Sequence, residues 1–173
     1  GYVDGFYYKP RVDEEVLRTY HEGIIALSAC LAGEIPRLLE KGLYEEAKAA
    51  AKKHLEIFGE RNYFLELQDH GIPMQRQVNQ ALLRMSAELH IPLVATNDCH
   101  YIYAEDWEAH DILLCIQSGK KVSDENRMRY EGGQYYVKSE EEMRALFPYA
   151  PEAIENTHKI AERCNVEIEF GVT

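Results

Sequence analysis

The stretch Ile91-Pro92-Leu93-Val94-Ala95-Thr96-Asn97-Asp98-Cys99-His100 places a short apolar run directly before a carboxylate and an imidazole two residues apart. Read as a buried strand, its side chains alternate between faces, so Asp98 and His100 are expected to point the same way from its carboxyl end. Parallel α/β folds gather functional groups at that end of their strands. An oxygen donor beside a nitrogen donor in such a place is metal-ligating chemistry.

Working outward, two more strands precede this one, Ile24-Ile25-Ala26-Leu27 and Tyr63-Phe64-Leu65-Glu66-Leu67, with Leu93 to Thr96 as the third. Helical patterns separate them. Val12 to Tyr20 carries acids at its start, Ile35 to Leu39 is short, and Leu43 to Phe58 is rich in Ala, Glu and Lys and closed by Gly59. Pro73 opens a helix to Leu89, with Val78, Ala81, Leu82, Met85 and Leu89 on one face. Further helices are expected over Ala104–Gln117, from the Ser139/Glu142 capping box to Phe147, and over Pro151–Arg163. Residues Gly119 to Gly133 read as irregular, and Gln134-Tyr135-Tyr136-Val137 as a short edge strand. Strands separated by helices imply βαβ units and a parallel sheet. Three or four strands are few for a closed barrel, and Gly1-Tyr2-Val3-Asp4-Gly5 opens as though in mid-domain. The expectation is a segment of a longer protein.

The 173 residues suffice for one domain with a real core, and 46% hydrophobic with 28% charged residues is ordinary globular composition. Thirty acids against nineteen bases, a formal charge of -11, argue against broad binding to a phosphate backbone. No apolar run approaches the roughly 20 residues that span a bilayer, and no signal-peptide pattern opens the chain. Cys30, Cys99, Cys115 and Cys164 form no CxxC pair and read as reduced thiols of a cytosolic protein. There is no GxGxxG, Walker loop, GxSxG or HExxH. The twelve tyrosines lack a basic groove, so they read as packing residues rather than a base-stacking platform.

Three strands deliver groups to one mouth: Ser28-Ala29-Cys30 after the first, Glu66, Gln68, Asp69 and His70 from the second, Asp98 and His100 from the third. A thiolate, a carboxylate and an imidazole converging there would suit zinc or a mixed divalent site including manganese. Plainer readings stand beside these. Cys30 could be a small buried hydrophobe, Asp98 a helix cap, Glu66 the partner of a lysine and His70 a turn residue. His21, His54, His90 and His158 fit solvated helical faces. Asp111, beside His110, could orient a neighbour or hold a loop.

Several runs carry a family resemblance. Gly5-Phe6-Tyr7-Tyr8-Lys9-Pro10-Arg11-Val12-Asp13, Leu27-Ser28-Ala29-Cys30-Leu31-Ala32-Gly33-Glu34, Leu65-Glu66-Leu67-Gln68-Asp69-His70-Gly71-Ile72-Pro73, Val94 to Tyr101, Glu155-Asn156-Thr157 and Ile160 to Val166 resemble the bacterial replicative DNA polymerase III alpha subunits, family C. The matching portion is the later part of their amino-terminal PHP (polymerase and histidinol phosphatase) domain. The resemblance implies an α/β fold, an incomplete (βα)7 PHP-type distorted barrel with parallel strands and helices outside. Residues 1–120 would be the carboxyl-terminal portion of that domain, and 121–173 its end and the connector toward the polymerase palm.

By the same resemblance Cys30, Asp98 and His100 are metal ligands, the last two matching the closing D-x-H motif, with Glu66 and His70 as weaker candidates near the site. The family's opening H-x-H and its intervening ligands have no counterpart among the seven histidines. The resemblance therefore implies no catalytic residue in this chain and a parent enzyme that is a DNA-directed DNA polymerase. Zinc or manganese would sit in the PHP site, as a phosphoesterase or 3′–5′ exonuclease, and magnesium in the palm outside this chain. Implied partners are the rest of the polymerase chain and a proofreading exonuclease subunit. DNA would be held mainly by other domains, there would be no membrane, and the location would be the bacterial cytoplasm. A stand-alone PHP phosphatase and a non-catalytic scaffold for an exonuclease subunit are the alternatives.

Overall fold

The computed structural model describes residues 2–171. Its centre is a parallel sheet of three strands in the order β3 (Ala26–Leu27), β4 (Tyr63–Leu67), β5 (Leu93–Ala95). Leu27 lies opposite Phe64, and Leu65 and Leu67 lie opposite Leu93 and Ala95. A small antiparallel hairpin, β1 (Phe6–Tyr7) and β2 (Lys9–Pro10), precedes it, a feature the sequence pattern did not foreshadow.

The helices follow the expected spacing closely. They are α1 (Glu14–Tyr20), α2 (Glu34–Glu40), α3 (Tyr44–Phe58), α4 (Pro73–Leu89), α5 (Trp107–Ser118), α6 (Glu140–Leu146) and α7 (Pro151–Arg163). Local chemistry sets their ends. The Asp13 carboxylate accepts the Val16 N–H at 3.0 Å, and the Ser139 hydroxyl and Glu142 carboxylate cap α6 reciprocally. Pro73 begins α4, and Gly59 with φ 87° stops α3. The region expected to be one helix from Ala104 divides into a 3-10 turn (Ala104–Asp106) and α5.

One face of the sheet carries Tyr63, Leu65, Leu67, Leu93 and Ala95 into a core shared with Ile35, Ala47, Ala51, Val78, Leu82, Met85, Phe147 and Ala153. Helices α2, α3, α4 and α7 supply that cover. The opposite face turns Phe64, Glu66, Val94 and Thr96 away from this core, as the two-residue period of a strand requires. An apolar face under helices and a second face with polar groups at the strand ends is the layout of an α/β barrel wall, here as an open three-stranded piece. The outer edge of β5 is covered by α7, whose Asn156 amide donates to the Leu93 carbonyl at 2.7 Å.

Candidate functional site

The site lies where the three strands end. β3 leaves the sheet at Ser28, whose N–H donates to Phe64 O at 3.1 Å while its hydroxyl accepts the Glu66 N–H at 2.8 Å. The hydroxyl thus replaces the carbonyl that would have continued the ladder. Ala29 then adopts φ 66°, costly for a residue with a Cβ, and its N–H is held by the Glu66 carboxylate at 3.0 Å. A tight turn follows, with Gly33 N–H donating to Cys30 O at 2.8 Å. Gly33 is required by space, since a Cβ there would meet the Ser28 carbonyl at 2.5 Å. Cys30 is carried half-buried on this bend.

Glu66 ties the strand ends together. Besides Ala29 it accepts from the Thr96 hydroxyl and, at 3.2 Å, from the Gln68 amide, which also donates to Thr96 Oγ1 at 3.1 Å. No lysine pairs with it among the described residues. A carboxylate in this position joins all three strand ends through hydrogen bonds to its charged form.

His70 is buried, and both ring nitrogens are engaged. Nε2 lies 2.8 Å from Asn97 O, Nδ1 lies 2.8 Å from the Gln75 amide nitrogen, and the Tyr135 ring stacks at 4.0 Å and 12°. A carboxamide donor on Nδ1 and a carbonyl acceptor at Nε2 assign the neutral Nε2–H tautomer. Burial lowers its pKa, which favours that same form. His70 lies on the bend that follows β4, as expected, and its buried ring also bolts β4 to the segment after β5.

The alternation expected to carry Asp98 and His100 does not operate. β5 stops at Ala95, and Asp98 lies in the left-handed region at φ 43°, so the chain has left the pleat before either residue. What places them is a second segment. His100 N–H and Tyr101 N–H donate to Tyr135 O at 2.8 and 3.3 Å, the Asn97 amide donates to Gln134 O and Tyr136 O at 2.8 and 2.7 Å, and Tyr101 bridges Tyr136 in parallel. The run 134–137 therefore aligns as an edge, though only as one isolated bridge.

His100 Nδ1 lies 2.6 Å from Asp98 O, which leaves Nε2 as its available lone pair. Tyr130 stands against this imidazole at 4.2 Å, with His110 at 5.4 Å and Tyr135 edge-on at 5.7 Å. Burial raises the Tyr130 and Tyr135 phenols, and the negative groups of Asp98 and Cys30 add to it at both. His100 thus sits in a cluster of rings with Tyr130, Tyr135 and His110. The sequence assigns no role to His110 and reads Tyr130 and Tyr135, with the other tyrosines, as packing residues.

The loop bearing Tyr130 is pinned by a bidentate pair, Arg127 to Asp111 at 2.6 Å on each oxygen, with the Arg127 side chain only 3% exposed. Asp111 holds a loop, one of the two roles open to it in sequence. A pocket of about 220 Å³ lies here, lined by Trp107, His110, Asp111, Arg127, Arg129 and Tyr130 among others. A cavity of about 730 Å³ between α6 and α7 includes none of the candidate ligands.

Donor chemistry at the strand ends fits a divalent cation in kind. A backbone carbonyl on Nδ1 is how a metal-ligating imidazole is usually oriented. The buried carboxamide oxygens of Gln68 and Asn97 also receive no hydrogen bond. In number the set falls short: among the described residues no three His, Cys, Asp or Glu side chains are grouped closely enough to hold a metal.

Comparison with known proteins agrees with this layout. Residues 1–70 match the PHP domain family. Over nearly the whole chain there is similarity to "DNA polymerase III subunit alpha" of Treponema pallidum (50% identity over 167 residues, 96% of this chain and 14% of that protein). The same-named proteins of Borreliella burgdorferi (49%, 99% of this chain, 15% of that protein) and Thermus aquaticus (44%, 98% and 14%) match likewise. The fold and the domain match define a PHP-domain chain, with its parallel strands as an incomplete barrel. The chain belongs to the DNA polymerase III alpha subunit family, spanning about 14% of the length of the curated relatives it matches.

Proposed function

We propose that the chain serves DNA replication as a PHP-domain segment of a DNA-directed DNA polymerase. Residues 1–120 would form the carboxyl-terminal portion of the PHP domain, and 121–173 its end and the connector to the palm. Nucleotidyl transfer and its magnesium belong to parts of the parent polypeptide outside this chain. The observation that carries the reading is 50% identity across 96% of the chain to a protein named as that subunit.

Within the parent, Cys30, Asp98 and His100 are ligands of a divalent cluster, zinc or manganese, completed by residues outside 1–173. His100 offers Nε2 while the Asp98 carbonyl fixes its ring, and the Glu66 carboxylate holds the bend that carries Cys30. Such a cluster, when bound, lowers the pKa of a water and neutralises charge on a phosphoryl group, which is phosphoesterase or 3′–5′ exonuclease chemistry. Tyr130 and His110 pack beside His100, whose ring stays open to solvent and to a phosphoryl group. A proofreading exonuclease subunit and a cytoplasmic location belong to the same proposal.

The test is metal analysis of the full-length protein beside a Cys30→Ala/Asp98→Ala/His100→Ala variant. The proposal expects zinc or manganese in the first and a sharp reduction in the second, with primer extension retained. Equal metal content in the two proteins would remove these residues from the shell.

A further inference from the structure

The pocket of about 220 Å³ behind His110 and Tyr130 has lining groups that the metal ligands do not explain. Those two rings belong to its wall and stand 5.4 and 4.2 Å from the His100 imidazole, so the pocket adjoins the candidate site. Arg127 lines it with a side chain only 3% exposed. Asp111 takes both terminal nitrogens of Arg127, yet Nε is buried with no hydrogen-bond partner among the described residues. A buried donor in that state calls for an acceptor. Trp107 adds an indole that is 47% exposed. The Gly133 backbone closes against part of this ring, since a Cβ there would lie 3.7 Å from Trp107 Cγ. The remainder of the ring is open.

The charges of the lining select among ligands. The guanidiniums of Arg127 and Arg129 are balanced by the carboxylates of Asp111 and Glu131, so the pocket has no net formal charge to draw in a bare anion. Arg129 is also tied to Asp124 O at 2.9 Å. What the pocket offers is a half-open aromatic ring, an unused N–H donor and carboxylate acceptors. That set is complementary to a neutral, planar ring with its own donors and acceptors. The volume falls below the roughly 300–1,000 Å³ of sites for drug-sized ligands, so it admits one ring system rather than a whole nucleotide. We infer that this pocket receives the terminal base of a single strand whose phosphoryl group lies at His100. Trp107 is its stacking surface, and Arg127 Nε donates to an acceptor on the base. The inference rests on the reading of the site as a phosphoesterase or exonuclease centre and adds a specificity-determining residue to it, Trp107. The strand is then held by its base as well as by its phosphate, and a phosphate ester without a ring binds weakly.

The experiment uses the full-length polypeptide and a single-stranded oligonucleotide ending in 5-iodo-2′-deoxyuridine, with a phosphorothioate as its last linkage to resist hydrolysis. Irradiation should join the iodouracil to Trp107 or Tyr130, read by mass spectrometry of the crosslinked peptide. Crosslinks confined to peptides outside residues 107–132 overturn the proposal. Deoxyadenosine 5′-monophosphate should compete for the crosslink, and deoxyribose 5-phosphate or inorganic phosphate at the same concentration should not. Equal competition would mean that phosphate alone is bound, which also overturns it, and this arm uses the unaltered chain. Trp107→Leu should weaken competition by the mononucleotide about tenfold, the loss expected for one stacked base, while Trp107→Phe keeps most of it. Metal content is measured in the same samples. A crosslink within 107–132 in protein without zinc or manganese strikes the metal reading and leaves the base pocket standing, and metal-loaded protein without that crosslink does the reverse.

Discussion

Gln75 grips His70 twice with one carboxamide: its oxygen accepts the His70 N–H at 2.7 Å, and its nitrogen donates to His70 Nδ1 at 2.8 Å. Gln75 lies in the first turn of α4 and His70 just past β4, so this pair fixes how the helix leaves the strand. Gln75→Ala leaves a buried amide and a buried ring nitrogen without partners. Each such group costs about 1–3 kcal/mol, so the unfolding free energy should drop by about 2 kcal/mol or more in urea titration.

The same imidazole makes stability depend on pH. Burial lowers the His70 pKa, so the unfolded chain binds a proton more readily than the folded one. The contribution is complete above the ordinary imidazole value of 6.5 and declines as pH falls below it toward the folded pKa. His110, lowered by burial and then by the charge of His100, acts in the same direction. Denaturation midpoints should fall between pH 7.5 and 5.5, and a His70→Gln variant should show a shallower fall.

Glu66 is expected to control the bend at Cys30. Glu66→Gln keeps the shape, but sets an amide NH2 against donors that now meet a carboxylate, Ala29 N–H or the Thr96 hydroxyl. A loss of about 1–2 kcal/mol follows from one weakened charged hydrogen bond. Cys30 should also react faster with a thiol reagent, followed by mass spectrometry of its own peptide. An unchanged Cys30 rate would show that the bend holds without Glu66.

Asp111→Asn removes half of the pair that pins the Tyr130 loop. It should lower the unfolding midpoint more than Arg144→Ala, which breaks only a surface pair with Glu140. Arg127→Lys should not restore it, because an ammonium cannot span both carboxylate oxygens. Increased proteolytic nicking between Gly119 and Gly133 would report the freed loop.

Helix boundaries set by local chemistry were legible in sequence: Pro73 and Leu89 bound α4, Ser139 and Glu142 cap α6, and Pro151 to Arg163 is α7 as expected. Strand β4 also ran over the expected residues, because a continuous apolar run needs no partner to be recognised. The site was legible in composition only. Asp98 and His100 were singled out on an alternation that ends at Ala95, and what holds the backbone at His100 is the carbonyl of Tyr135, 35 positions onward. His110, Tyr130 and Tyr135 carry no spacing signal, so no pattern along the chain could have gathered them.

The sequence by itself determined the α/β alternation, the helix caps and the family, since these rest on neighbouring residues and on runs of matched side chains. Only the tertiary structure decided that Glu66 binds three strand ends, that His70 is held neutral with both nitrogens used, and that Tyr130 stands against His100. Each of these depends on hydrogen bonds or ring contacts between residues far apart in the chain, and their positions are fixed only when the sheet and its covering helices pack together.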